Sequence, residues 1–137
     1  MSTLLTNPHY NGCFFNGHDF SFSNYLNKSF TNCCFELCFF DYSSFKEVTF
    51  NAVTIKNCSF SHSKFNNINF NDSEVIFTNF NHSFISNLNF TGINLEFSSF
   101  FKSYLNNAVF FDCNLANVNF TMALQYQTSF KLCNKGI

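Results

Sequence analysis

Arginine and tryptophan are absent from this chain of 137 residues, which carries one proline, four glycines and only 11% charged residues. Each shortage removes a class of protein. Without Arg, and with seven Lys scattered singly, no basic stripe can track a phosphate backbone, so direct binding of nucleic acid is not expected. No Gly/Pro/Ser-rich linker, charge run or insertion marks a boundary, and a single domain is expected. No apolar run approaches the ~20 residues of a membrane span, so no membrane partner is expected. Residues 1–10 have neither the basic start nor the apolar core of a secretory signal, which points to a cytoplasmic chain. Gly-rich phosphate loops, metalloprotease helix motifs and nucleophile elbows are all missing. The carboxylates Asp19, Glu36, Asp41, Glu47, Asp72, Glu74, Glu96 and Asp112 are few, and a filled rod of the kind derived below offers no cleft to hold a substrate. The chain is therefore read as no enzyme, with no catalytic residue, no metal and no cofactor.

What the chain has in abundance is Phe, 24 residues, and Asn, 23 residues. Of the 26 positions that are multiples of five from Leu5 to Phe130, 25 are Phe, Tyr, Leu, Ile or Val; only Gln125 breaks the register. Sixteen of the Phe fall in this one phase. A period of five fits neither an amphipathic helix nor a plain strand, and held over a whole chain it marks stacked repeats in which each unit buries the next. A second inward position lies two residues earlier, where small or apolar residues recur, as at Cys33, Ser43, Val53, Ser63 and Ala108. Side chains two apart on an extended backbone share a face, so each pentad reads as a short strand segment plus a corner. Asn suits such corners, being the non-Gly residue best able to adopt left-handed backbone.

Pentads such as Ala108-Val109-Phe110-Phe111-Asp112, Val118-Asn119-Phe120-Thr121-Met122 and Leu88-Asn89-Phe90-Thr91-Gly92 resemble the pentapeptide-repeat family. The pattern there is a small residue, Asn or Asp, a central Leu or Phe, and two variable residues. The resemblance runs from about Leu5 to Phe130 and implies an all-β, right-handed, four-sided parallel β-helix with four pentapeptides per coil. Departures are the dominance of Phe over Leu, and His18 and Lys28 at positions meant for small residues. Residues 1–9 are then an N-terminal cap segment, 10–130 the β-helix and 131–137 a C-terminal tail.

With four pentads per coil, residues twenty apart stack, and the columns are coherent. Phe20, Phe40, Phe60, Phe80, Phe100 and Phe120 form one core ladder, and Phe30, Phe50, Phe70, Phe90, Phe110 and Phe130 form the opposite one. Ser23, Ser43, Ser63, Ser83 and Ser103 make a single column. Some six coils at the ~4.8 Å separation of hydrogen-bonded strands give a rod about 30 Å long.

Six of the seven cysteines, all but Cys34, take the small inward position, where a free thiol serves as a compact apolar residue. Stacked pairs such as Cys13 with Cys33 lie within disulfide reach, but without an export signal reduced thiols are expected. Zinc on His18, Cys38 and Cys58 would need parallel side chains to converge on a tetrahedral point. His62 and His82 stack at one outer corner, followed by Lys102, and are read as solvated.

Function rests on the outer walls. The resemblance brings the possibility of a duplex mimic that binds DNA gyrase or another topoisomerase and protects it from quinolones or toxins. B-DNA carries one charge per ~1.7 Å, so a faithful mimic ~30 Å long needs on the order of 17 acidic groups. This chain has eight against seven Lys. Glu36, Glu74, Glu96 and Asp112 are expected to be spread round the rod among Lys56, Lys64 and Lys102. Apolar residues outside the inward register are more telling. Phe22, Leu37, Phe39, Tyr42, Phe77, Phe84, Phe97, Phe101 and Tyr104 fall on or beside the wall of Phe20, and a clustered apolar strip marks a binding surface. These residues are predicted to bind a protein partner or a second copy of the chain. Gln125 lies in the last coil, which should open or be covered by another chain, so a homodimer through that coil or the aromatic strip is expected. A flat Thr/Asn wall including Thr49, Asn69, Asn89 and Thr91 raises the further alternative of ice or polysaccharide binding.

Overall fold

The structure, a computed structural model, describes residues 5–135. The outermost parts of the expected cap and tail, residues 1–4 and 136–137, lie outside the described residues. Within 5–135 the chain is all strand, turn and bend, wound as a right-handed four-sided parallel β-solenoid of about six coils. Every strand pairing is parallel and joins residues twenty apart, for example Tyr10 to Phe30, Phe50 to Phe70 and Phe110 to Phe130.

The four walls differ in how the ladder is made. The wall of Phe15 contains the strands Phe14–Asn16, Cys34–Glu36, Thr54–Lys56 and Glu74–Ile76, continued by single bridges from Glu74 through Asn94 and Asn114 to Asn134. The wall of Phe20 is held by single bridges from Asp19 through Phe39, Ser59, Asn79 and Ser99 to Asn119. The eight-residue strands Ser44–Asn51, Lys64–Asn71, Phe84–Thr91 and Tyr104–Phe111 each bend through a corner, lining first the wall of Tyr25 and then the wall of Phe30.

All corners share one device. The residue two after each inward position, from Gly12 to Leu132, has positive φ, between 48° and 72°. Three are Gly, and nine of the others are Asn or Asp. The rest include Phe22, Leu37, Tyr42, His62, Phe77, His82 and Phe97, for which left-handed backbone costs roughly 1–2 kcal/mol each. The ladder compensates by satisfying the corner amides: the N–H of Tyr42 donates to Ser61 O at 3.0 Å and that of His62 to Asn81 O at 3.0 Å. Such a corner throws its side chain outward, so a large apolar residue there is exposed by construction.

The core is a set of ring columns. Phe40 lies 4.7 Å from Phe60 and Phe80 4.8 Å from Phe100, both pairs within 4° of parallel. Beside them the serine column carries its own hydrogen bonds: Ser63 Oγ accepts from the Ser43 N–H at 3.2 Å and donates to Phe40 O at 2.8 Å. Cys58 repeats this on the neighbouring column, accepting from the Cys38 N–H at 3.5 Å and donating to Phe35 O at 3.3 Å. Cys therefore replaces Ser there as a hydrogen-bonding inward residue, a role beyond simple filling. All seven cysteines are free thiols.

Burial pushes the Cys113 thiol from 9.0 up to about 11. The fold thus keeps a proton that the unfolded chain releases near pH 9, so its stabilisation is complete below that pH and is lost as pH rises toward 11. The thermal midpoint is expected to fall over that interval, and to fall less in Cys113→Ala; identical slopes would remove the assignment.

The two ends are not alike. At the N-terminal end Leu5 is buried, Lys28 Nζ donates to Asn7 O at 2.7 Å, and the Ser29 N–H donates to Pro8 O at 2.9 Å. The His18 ring stacks over Phe20 at 5.7 Å, leaving Phe20 fully buried. His18 and Lys28 depart from the repeat because they close its first coil. At the C-terminal end the strand Leu124–Tyr126 is exposed throughout, and Phe120 and Phe130 are half-buried where Phe100 and Phe110 are fully buried.

Candidate interaction surface

The outward corners place the predicted aromatic residues in columns. On the corner that follows the wall of Phe20, Phe22 stacks on Tyr42 at 5.2 Å, Tyr42 on His62 at 4.8 Å and His62 on His82 at 4.7 Å. Phe101 meets the edge of His82 at 5.9 Å, with Lys102 Nζ 5.4 Å from the Phe101 ring. On the corner before that wall, Phe77 and Phe97 stack at 4.9 Å, while Leu37 in the same column is separated from them by Asn57. Phe84 and Tyr104 are 6.2 Å apart, and Leu124 is in register above Tyr104.

The wall between these corners is polar in its middle. Asp41 Oδ1 accepts from Ser59 Oγ and from the Ser61 N–H, and Asn81 Oδ1 accepts from Ser99 Oγ and the Phe101 N–H. The expected strip is therefore three patches. Phe22, Leu37, Phe39 and Tyr42 lie toward the N-terminal end, Phe77 and Phe97 on one corner, and Phe84, Phe101 and Tyr104 beside the other, with Phe101 and Tyr104 half-buried and the rest exposed.

Among solved structures, the chain is similar to the crystal structure of Rfr23, a pentapeptide repeat protein from the cyanobacterium Cyanothece 51142. The TM-score is 0.64 at 14% identity, over 94% of this chain and 92% of that one. The chain has the fold of the pentapeptide-repeat proteins. Full-length QnrB1, a plasmid-mediated fluoroquinolone resistance protein, aligns over 93% of this chain and 81% of its own at 12% identity, but superposes only to a TM-score of 0.38. HetL, a pentapeptide repeat protein of heterocyst differentiation regulation from Nostoc sp. strain PCC 7120, aligns at 8% identity over 88% of this chain and 84% of its own, with a TM-score of 0.21. No protein-family model and no curated protein sequence matches the chain.

On this rod the patch of Phe84 is the one that grows. Leu124, 66% exposed, continues the column of Phe84 and Tyr104, while Met122 and Tyr126 flank it at 65% and 59%. Reading aromatics alone misses Met122 and Leu124; counting every large apolar residue at an outward position would have found them.

Two expectations about the surface are corrected. The four carboxylates Glu36, Glu74, Glu96 and Asp112 are not spread round the rod: the three Glu lie on the wall of Phe15, and Asp112, with Asp72, on the corner leading into it, while Asp19, Asp41 and Glu47 lie elsewhere. Of the three lysines expected among them, Lys56, paired in register with Glu36, lies on this wall, and Lys64 and Lys102 belong to others. Gly92 sits between Asp72 and Asp112 in this column, where a Cβ would lie 2.9 Å from Asp72 Oδ1, so the absence of a side chain makes room for the carboxylate. The rod is also not without a hollow. Among the described residues, a concavity of about 670 Å³ at its C-terminal end is lined by Leu115, Asn117, Val118, Phe120, Gln125, Phe130 and Lys135.

The wall of Phe30 carries Thr49, Asn51, Asn69, Asn71, Asn89 and Thr91, with Thr91 Oγ1 donating to Asn89 Oδ1 at 3.1 Å. Val109 and Phe111 end this polar array. Among the described residues no three His, Cys, Asp or Glu side chains are grouped to hold a metal ion, and no helix is long and apolar enough to cross a membrane.

Proposed function

We propose that this pentapeptide-repeat chain is a non-catalytic interaction module that associates with a second copy of itself through the corner carrying Phe84, Tyr104 and Leu124. The observation that carries this reading is the continuous apolar column there, extended by Met122 and Tyr126 to the open end of the rod. Apolar surface of that extent is rarely left in water by a monomer, and aromatic and Met side chains are the types enriched at interface centres. The strand Leu124–Tyr126 supports it: among the described residues it is exposed throughout and pairs on one side only, an edge of the kind that invites pairing.

Sedimentation velocity across the micromolar range tests it. Wild type is expected to form dimers as concentration rises, and Phe84→Glu to weaken association by roughly tenfold or more, since a charge would be desolvated against apolar neighbours. A strictly monomeric wild type, or a Phe84→Glu protein that associates as well as wild type, would sink the reading.

A second reading, the topoisomerase-directed duplex mimic, is favoured by the acidic wall of Glu36, Asp72, Glu74, Glu96 and Asp112. It ranks below the first because five carboxylates against the roughly 17 phosphate charges of a ~30 Å duplex give about a third of the charge density. A gyrase supercoiling assay with quinolone, with and without the protein, separates the two: protection lost in Glu74→Lys would move the mimic into first place.

A further inference from the structure

Two walls that face away from each other carry opposite charge. The wall of Phe15, with the corner leading into it, holds Glu36, Glu74, Glu96, Asp72 and Asp112, together with Lys56 and Lys135. Chain order puts the wall of Tyr25 opposite. It holds Lys46 and Lys64, with Lys102 on the corner leading into it and Glu47 on its far corner.

Each of these sides also bears an exposed aromatic pair. Phe77 and Phe97 stack at 4.9 Å beside the acidic wall, each 49% exposed, while Phe84 and Tyr104 lie 6.2 Å apart on the basic one, Phe84 60% exposed. Both pairs lie on the edge of their wall nearest the wall of Phe20, and they share a level. Phe84 follows Phe77 by seven residues and Tyr104 follows Phe97 by seven, within a single twenty-residue coil. Glu74 and Glu96 accompany Phe77 and Phe97, Lys102 accompanies Tyr104, and Lys64 is in register with Phe84 one coil below. A second rod set alongside by a sideways shift, with no rotation, thus presents Phe84 and Tyr104 to Phe77 and Phe97, and Lys64 and Lys102 to Glu74 and Glu96. Matching two copies of the Phe84 face would instead confront two like-charged walls, which is unfavourable.

We infer that the surface received by the Phe84 corner is the acidic, Phe77 and Phe97 side of the next copy, so that rods associate wall to opposite wall. This rests on the self-association proposed above and names its second surface. Such a heterologous contact leaves one face of each kind free, so growth continues past the dimer.

Sedimentation velocity with two variants, apart and mixed, tests it. Wild type is expected to grow past the dimer as concentration rises. Phe84→Glu spoils only the basic side and Phe97→Glu only the acidic side; Glu47 already occupies a left-handed corner like that of Phe97, with φ 55°. Each alone should associate roughly tenfold or more weakly than wild type, a charge being desolvated against rings. Mixed, they should form a one-to-one pair of wild-type affinity that grows no further, since each supplies the side the other lacks. The Glu74→Lys/Glu96→Lys double variant, which keeps every ring, should weaken self-association as Phe97→Glu does. A wild type monomeric throughout, or a Phe84→Glu protein that associates as wild type does, would remove self-association and this inference with it. If Phe84→Glu is impaired but Phe97→Glu or the double variant associates as wild type does, self-association stands and this inference is overturned. A mixture no stronger than its parts, or a wild type that stops at the dimer, would overturn it in the same way.

Discussion

Phe60→Ala is expected to destabilise the rod by about 3–5 kcal/mol, the range for removing a fully buried aromatic side chain. Phe60 lies between Phe40 at 4.7 Å and Phe80 at 5.1 Å, with Phe45 and Phe65 each at 5.7 Å. Those rings cannot close over the gap, because the walls that carry them are tied coil to coil by backbone hydrogen bonds in a fixed register. A solenoid is also held only by nearest-neighbour interfaces, so a central defect weakens two of them and a terminal one weakens a single interface. Phe120→Ala, at the half-buried end of the same column, should therefore cost clearly less. Urea unfolding of the two variants checks this; equal losses would mean that the ring column is not what stabilises the middle of the rod.

The second large effect belongs to a small residue. Ser63→Ala deletes a hydroxyl that accepts from the Ser43 N–H and donates to Phe40 O, neither of which has another bond in the corner. Leaving a buried amide and a buried carbonyl unpaired costs roughly 1–3 kcal/mol each, so a loss of about 2–6 kcal/mol is expected. Ser63→Cys should be much milder, because Cys58 already makes the equivalent pair of bonds one column away. The same urea experiment decides it: if Ala and Cys at position 63 behave alike, the inward hydroxyls and thiols contribute no hydrogen bonding to stability.

Both predictions rest on the backbone corners, and these were the least legible part of the chain. Asn at positions 27, 67, 87 and 107 announces left-handed backbone, but Phe22, Leu37, Glu47 and Phe97 adopt it too. Their own preference is against it. Closing a square coil demands that geometry, and the hydrogen bond from each corner N–H to the next coil holds it.

That geometry is also why the surface aromatics stack. Corner residues twenty apart point the same way at the coil spacing, so Tyr42, His62 and His82 become a ring column without any core to bury them.

The acidic wall was present in the numbering, since Glu36 and Glu96 share a place in the twenty-residue period. Seeing it required each carboxylate to be assigned to a wall rather than counted along the chain. His18, Lys28 and Gln125 all read as faults in the repeat. Two of them proved to close the first coil and the third to border the open last one.

The recurring five-residue spacing was enough to establish the winding, the four walls, the core columns and the direction of nearly every side chain, because these depend on interactions that each coil repeats with its neighbours. Three-dimensional placement was needed to tell a closed end from an open one, to divide the aromatic strip into patches, and to bring Phe84, Tyr104 and Leu124 into one exposed column. Those features depend on whether another coil lies above a given residue, and a local period carries no information about where its stack ends.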